Sequence, residues 1–430
     1  MITIIRIRLV FVTISILATL RMPVALGQEP QIPGTVQPGQ IERQLKPPSQ
    51  IPRSIDRILP SPAPIETPPT LPADLQFTVK RIQLEGSSTY SESDLTSYFL
   101  KYLHKTVAVA QVQNLADDLT TKYRNDGYIL SQVIVPPQRI KDGVVRLQAV
   151  EGYIDQVKFD GDSIDRSGLL ESYAEKIKRS KPLQSKVLER YLLLMNDLGG
   201  VSAQATLAPS STQSGASELI ITLSHKRLSA SLGLNNRGSR FLGPWRGELS
   251  ADAFSILGLN EHTGLRYIST GSDELNFVSI SHDQHLGSEG LMLGFTFADV
   301  ESNPDLGAGS IALETYSRSG SIGLTYPLLR SREQNLNVRG NLTYFDSKST
   351  GNGALLSKDH IRAIRFGTAY SSTDDWLGNN QLDLEVSQGL DILDATESGS
   401  ANLSRVGGQS DFTKFTLYAA RLQALVPNWS

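Results

Sequence analysis

Two spacings of apolar positions divide this chain. Between residues 75 and 226 helical spacing alternates with short strand-like runs; beyond residue 227 only the strand spacing remains. Val112, Leu115, Leu119 and Tyr123 recur at helical intervals over 109–125, and Val187, Leu188, Tyr191, Leu194, Met195 and Leu198 do the same over 183–198. Such stripes bury one face of a helix, here against a small sheet. Ser91, Glu92, Ser93 and Asp94 offer capping side chains ahead of an expected helix at 95–103. Residues 128–135 alternate as a strand, with Ile129, Ser131 and Val133 on one face and Leu130, Gln132 and Ile134 on the other. Pro136 and Pro137 cannot donate to a ladder and stop it; Gly143 reopens the chain, and Val144, Val145, Leu147 and Val150 build a return strand. About 73 residues on, the same grammar returns: Gly200 answers Gly127, Pro209 answers Pro136, 218–224 answers 144–151, and 154–161 answers 77–86. Two tandem copies of strand–helix–helix–strand–strand are expected, the mark of a duplicated binding module.

From residue 228 onward, short alternating segments follow one another. Leu228, Ala230, Leu232 and Leu234 alternate with polar or small residues, as do Leu249, Ala251 and Ala253, and Leu382, Leu384 and Val386. Leu291, Leu293, Phe295 and Phe297 share one face; Leu336, Val338, Leu342 and Tyr344 oppose Asn337, Arg339, Asn341 and Thr343. About ten strands of about 9–12 residues fit, the length of a tilted strand crossing a hydrocarbon layer. Polar links join them, the longer ones expected at 347–358 and 394–410. Phe241, Trp245, Tyr326, Tyr344, Trp376 and Phe412 gather near segment ends, as interfacial aromatics do. Arg246, Glu248, Asp252, Arg339, Asp383 and Glu385 fall on the polar faces and are expected to line a lumen. Alternation alone does not separate a membrane barrel from a soluble β-sandwich; strand length and an export signal favour the barrel.

That signal is residues 1–27: Arg6 and Arg8, an apolar run over 9–20, then Ala25-Leu26-Gly27. The run is too short to span a bilayer, which reads as a cleaved secretory peptide rather than an anchor. Removing Arg6, Arg8 and Arg21 carries the formal charge from −3 to −6, which gives no support to nucleic-acid binding. Residues 28–74 are Pro-rich, an extended tether. The 430 residues include no cysteine, so disulfides, thiolate metal sites and cysteine nucleophiles are out. His282 and His285 would point to opposite faces of a strand, and no phosphate loop, dinucleotide fingerprint or nucleophile elbow occurs. The expectation is a protein that is not an enzyme and holds no cofactor or metal.

Residues 77–86, 123–136 (YRNDGYILSQVIVP) and 145–152 (VRLQAVEG) carry a family resemblance. The chain resembles the outer-membrane transporters of two-partner secretion, the haemolysin secretion/activation family of the Omp85-like superfamily. The resemblance implies α+β periplasmic POTRA domains, at 75–152 and 153–226, followed at 227–430 by an antiparallel transmembrane β-barrel, incomplete in this chain. It implies a monomer in outer-membrane lipid that captures an unfolded, β-rich exoprotein and passes it through the barrel without nucleotide. An extended polypeptide could add a strand to an exposed sheet edge. The candidate edge is 128–135, with Tyr128, Leu130, Ser131, Gln132, Val133 and Val135 as contacts and Ser131 and Gln132 facing water. An N-terminal helix plugs the lumen in this family, and 40–46 (QIERQLK) is either that helix or plain linker. The rival functions are a membrane-protein assembly factor, which would carry more POTRA units, and a passive porin or surface-binding β protein, which would have no use for the duplicated module. The chain departs from the family in strand number, about ten against about sixteen. Asn341 also follows Val338-Arg339-Gly340, where the family has an aromatic on a lumenal loop, and no terminal strand ends in an aromatic. These departures read as a truncated protein or a fragment.

Overall fold

The computed structural model describes residues 76–423, apart from 163, 164, 214, 272, 308, 377, 398 and 406, together with Gln37, Gln40, Ile41 and Leu45. The expected secretory peptide, most of the tether and the last seven residues lie outside the described residues.

The first unit runs β1 (Gln76–Thr78), β2 (Arg81–Glu85), α1 (Thr96–Phe99), β3 (Thr106–Ala108), α2 (Val109–Asn125), β4 (Gln132–Ile134) and β5 (Val144–Val150). β5 lies between a parallel β2 and an antiparallel β4, while β1 pairs with β3 in a separate two-stranded ribbon. The helix at 109–125 forms as its stripe predicts, with Val112, Leu115, Leu119 and Tyr123 buried. The apolar run 77–86 is two strands, not one: the chain breaks at Val79 and Lys80 and changes sheets. The helix expected at 95–103 is one turn, Thr96–Phe99, after which turns lead to His104 at φ 61°.

The second unit repeats the plan: β6 (Tyr153–Gly161), α3 (Leu169–Lys178), α4 (Ser185–Asp197), β7 (Val201–Pro209) and β8 (Ala216–His225), in sheet order β6-β8-β7. Its core is Leu188, Leu192, Leu194, Met195 and Tyr173 from the helices on Ile154, Leu219, Ile221 and Leu223 from the sheet.

Ten antiparallel strands follow in sequence order: β9 (Leu228–Asn235), β10 (Arg246–Phe254), β11 (His262–Thr270), β12 (Leu275–Leu286), β13 (Leu291–Ser302), β14 (Leu313–Arg330), β15 (Gln334–Gly351), β16 (Ala354–Thr373), β17 (Gly378–Gly389) and β18 (Thr413–Gln423). The sheet is open, with β9 and β18 at its edges. Three strands exceed the expected length: β14 and β15 have 18 residues each and β16 has 20. The stretch 347–358, expected as a loop, is instead the continuation of the β15–β16 ladder, turning only at Asn352 and Gly353. Both turn residues have positive φ, 49° and 77°, the geometry that matches the right-handed twist of a hairpin.

Exposed apolar side chains share one face of this sheet: Leu265, Ile280, Phe295, Ile322, Leu342, Phe366 and Leu384. The opposite, inner face carries the polar set, and near its far end a small apolar cluster of Ile268, Leu275, Phe277, Val300 and Leu313. Ile41 and Leu45, both helical, bury themselves in that cluster, 1% and 2% exposed. The Arg266 guanidinium donates to the Leu45 carbonyl.

Candidate functional site

The first candidate edge is shorter and better closed than its alternation predicts. Gly127 sits at φ 94°; Tyr128 then donates from its amide to Tyr123 and Ser131 to Tyr128, so Tyr128, Ile129 and Leu130 make a turn. Ser131 does not face water: it is 1% exposed, and its Oγ accepts from the Gly152 amide at 3.2 Å. Only Gln132, Val133 and Ile134 pair with β5. The amide of Val133 points away from that partner, and Thr120 of α2 occupies it: Oγ1 accepts from Val133 N at 2.9 Å and lies 3.3 Å from Val133 O. Strand addition at this point would have to displace a helix side chain. Tyr128 and Gln132 remain partly exposed; Leu130 and Val135 pack against the cores of the second and first units.

The residues behind this edge tie the two units together. Tyr90, Tyr123 and Tyr128 meet edge to face, with centroids 4.7–6.4 Å apart. Burial opposes ionisation of Glu151, but hydrogen bonds from Ser88, Thr89 and Tyr123 outweigh it and hold its carboxyl below the usual range. Burial, together with the Glu151 hydrogen bond, pushes the Tyr123 phenol up. At the junction Gly152 accepts from the Leu183 amide, and Gly127 from Ser185. A Cβ on Gly152 would stand 2.4 Å from the Leu130 carbonyl oxygen.

The second unit has the longer edge. Asn196 of α4 clamps Ala203 as Thr120 clamps Val133, with Nδ2 donating to Ala203 O and Oδ1 accepting from Ala203 N, both at 3.0 Å. These bonds fix which residues of β7 point outward. Ala203, Ala205, Leu207 and Pro209 alternate on the side away from β8. Beyond the clamp, the outward amides of Ala205 and Leu207 have no partner among the described residues. Pro209, at the next outward position, has no N–H to leave unpaired. The motif spacing held the signal: Pro209 answers Pro136, but the second copy has nine residues in β7 where the first has three in β4.

On the inner face of the large sheet, Arg246, Glu248 and Asp252 alternate along β10. Glu248 receives Arg266 Nε at 2.6 Å, and Asp252 lies 2.9 Å from His262 Nε2. Arg339 of β15 reaches across β16 to Asp383 through two contacts of 2.8 Å and to Glu385 at 3.1 Å; Arg365 also meets Glu385, at 3.3 Å. Of the expected charged residues, Glu248, Asp252, Arg339, Asp383 and Glu385 take part in cross-strand pairs, while Arg246 has no carboxylate within ion-pair distance among the described residues. Val338-Arg339-Gly340 sits within β15, as its alternation predicts. Phe241, expected at the interface, packs on the inner cluster instead.

The second unit docks on three turns of the large sheet. Lys176 meets Glu289 at 2.5 Å; Arg190 donates to the carbonyls of Glu289 and Pro327; Arg330 forks onto Asp197 with two contacts of 2.7 Å. Asn260 reaches Asp165 at 2.9 Å. These contacts seat the second unit on the turns β10–β11, β12–β13 and β14–β15 through polar bonds.

Comparison with known proteins agrees with this architecture. The family model described as POTRA domain, ShlB-type, matches residues 77–152, and that of the haemolysin secretion/activation protein ShlB/FhaC/HecB matches residues 215–428. The chain is similar to the heme/hemopexin transporter protein HuxB of Haemophilus influenzae, 23% identical over 322 residues, covering 71% of this chain and 57% of HuxB. It is also similar to the outer membrane transporter CdiB of Escherichia coli O6:K15:H31, 22% identical over 317 residues, covering 70% of this chain and 52% of CdiB. The chain thus spans about half the length of the curated relatives it matches. The solved structure of CdiB from Escherichia coli shares the fold, with a TM-score of 0.68 at 17% identity over 87% of this chain and 70% of that one.

Proposed function

Because this chain belongs to the haemolysin secretion/activation protein family, by its ShlB-type POTRA domain and its barrel segment alike, we propose that it serves as a translocator of two-partner secretion. It sits in the outer membrane, monomeric, with both POTRA units in the periplasm. There it captures an unfolded, β-rich exoprotein and passes it along the inner face of the barrel. No catalytic step is assigned to it.

The open edge of β7 carries this reading. Two outward amides and their carbonyls, at Ala205 and Leu207, offer main-chain hydrogen bonds to an extended chain while asking little of its sequence. We assign main-chain docking there rather than to β4, whose outward amide belongs to Thr120. Tyr128 and Gln132 of the first unit serve as side-chain contacts. Arg246, Glu248, Asp252, Arg339, Asp383 and Glu385 line the path, and with His262, Arg266 and Arg365 beside them the signs are mixed, which keeps the path wet. Folding of the exoprotein outside the cell supplies direction.

The reading is tested by expressing the chain with a candidate partner, a large, repetitive, β-rich exoprotein sought in the neighbouring reading frame, and recovering the complex by affinity from membranes. Co-recovery of the exoprotein's amino-terminal part is the expected result. Recovery of unfolded barrel proteins instead would assign the chain to membrane-protein assembly.

A further inference from the structure

Between the two POTRA units lies a cleft of about 850 Å³, open to solvent, walled by Tyr128 on one side and by Lys176, Arg179, Lys181, Lys186 and Arg190 on the other. No aspartate or glutamate lines it, although the chain as a whole is acidic. Two of the five cations are already engaged, Lys176 with Glu289 and Arg190 with backbone carbonyls. Lys181 lies over the Tyr153 ring, 4.5 Å from its centroid. Among the described residues, neither Arg179 nor Lys186 has a carboxylate within ion-pair distance.

Arg179 has an ordinary explanation, since it follows the last turn of α3, where a cation complements the helix dipole. Lys186 has none. It stands in the first turn of α4, at the positive end of a 13-residue helix, with no acidic residue in that turn and no side chain capping it from Gln184. A cation there opposes the helix dipole. Helix terminus and ammonium group thus reinforce each other as attractants for negative charge, beside a tyrosine wall whose hydroxyl accepts from Gln184 Nε2 at 3.2 Å.

We propose that this cleft binds an acidic, extended segment of the secreted polypeptide, and so selects cargo by charge while the β7 edge holds it by main chain. The proposal rests on the capture function given above. A polypeptide fits better than a small anion: the cations are spread along a wide, open cleft, not converged on one point, and an aromatic wall suits the apolar stretches between carboxylates.

The test uses the whole chain in detergent micelles and a fluorescent oligoglutamate peptide as probe. Binding is expected, weakening as salt rises from about 50 mM to about 300 mM. The double substitution Arg179→Glu with Lys186→Glu should weaken it about tenfold or more. Arg179→Gln with Lys186→Gln should weaken it less, and covers the event that charge reversal unfolds the unit. Lys101→Glu with Lys141→Glu, on the first unit away from the cleft, should leave it unchanged. Equal binding by the cleft variants overturns the proposal. So does displacement of the peptide by inorganic phosphate at matched charge and ionic strength, which would make the cleft a small-anion site. If the exoprotein is captured equally by wild type and both cleft variants, the cleft inference fails and the capture function stands; if no exoprotein is captured by wild type, the capture function itself fails, whatever oligoglutamate does.

Discussion

Replacing Thr120 by Val should unlock the edge of the first POTRA unit. Valine keeps the shape and the β-branch but removes the hydroxyl that accepts from the Val133 amide. Thr120 and Val133 are 8% and 3% exposed, so water cannot readily take over. A buried amide left without a partner costs about 1–3 kcal/mol. At about 1.4 kcal/mol per decade this is roughly a 5- to 150-fold shift in the opening equilibrium of β4. Hydrogen exchange read by mass spectrometry on the whole chain should show that acceleration in peptides covering residues 132–134. Thr120→Ser keeps the hydroxyl and should leave the same peptides close to wild type, apart from the lost methyl. Peptides from β7, clamped separately by Asn196, should not change in either variant. Unaltered exchange at 132–134 in Thr120→Val would refute the clamp and return β4 to consideration as an open docking edge.

Three further outcomes follow from the same geometry. Gly152→Ala drives a Cβ against the Leu130 backbone at the junction of the two units; a cost of about 1–3 kcal/mol should appear as faster proteolytic cleavage between them. Glu151 has its folded pKa held below the ordinary value, so its stabilisation is present above about pH 4.3 and is lost as pH falls through the folded pKa. Thermal unfolding should therefore separate wild type from Glu151→Gln near neutrality and bring them together in acid; a gap that widens in acid would contradict the assignment. Asp197→Asn with Glu189→Gln removes the partners of Arg330 and Arg332. Each pair is partly exposed, so about 0.2–1 kcal/mol apiece is at stake, and a spin-label distance between the second unit and the large sheet should broaden rather than shift.

What the sequence disclosed followed from how local the determining physics is. The α2 and α4 stripes and the alternation of β10, β13, β15 and β17 are set by which face is buried, and periodicity reports that directly. The β4 strand was overestimated because alternation over 128–135 does not register the turn set by Gly127 and the Tyr128 amide. The β15–β16 hairpin was missed because 347–358 is rich in Ser, Thr, Lys and Gly, yet Asn352-Gly353 carried a hairpin signal within it. The clamps at Thr120 and Asn196 lie beyond periodicity. Each is a polar residue on an apolar helix face, and only the sheet packed beneath it shows what it binds. The cationic cleft is assembled from two units distant in sequence, so no single window displays it. The cross-strand pairing of the inner-face charges, as between Arg339 and Asp383, depends on strand order, which alternation within a single strand does not carry.

The central claim is that an extended exoprotein segment docks on the open edge of β7. Ala205→Pro tests it most directly, because the amide it removes points away from β8 and takes no part in the β7–β8 ladder. Affinity recovery of the exoprotein with the Ala205→Pro chain, normalised to the amount of chain in the membrane, should fall about tenfold or more against wild type. The β7–β8 amides should keep wild-type exchange protection. Undiminished recovery with that protection intact would contradict strand addition at β7.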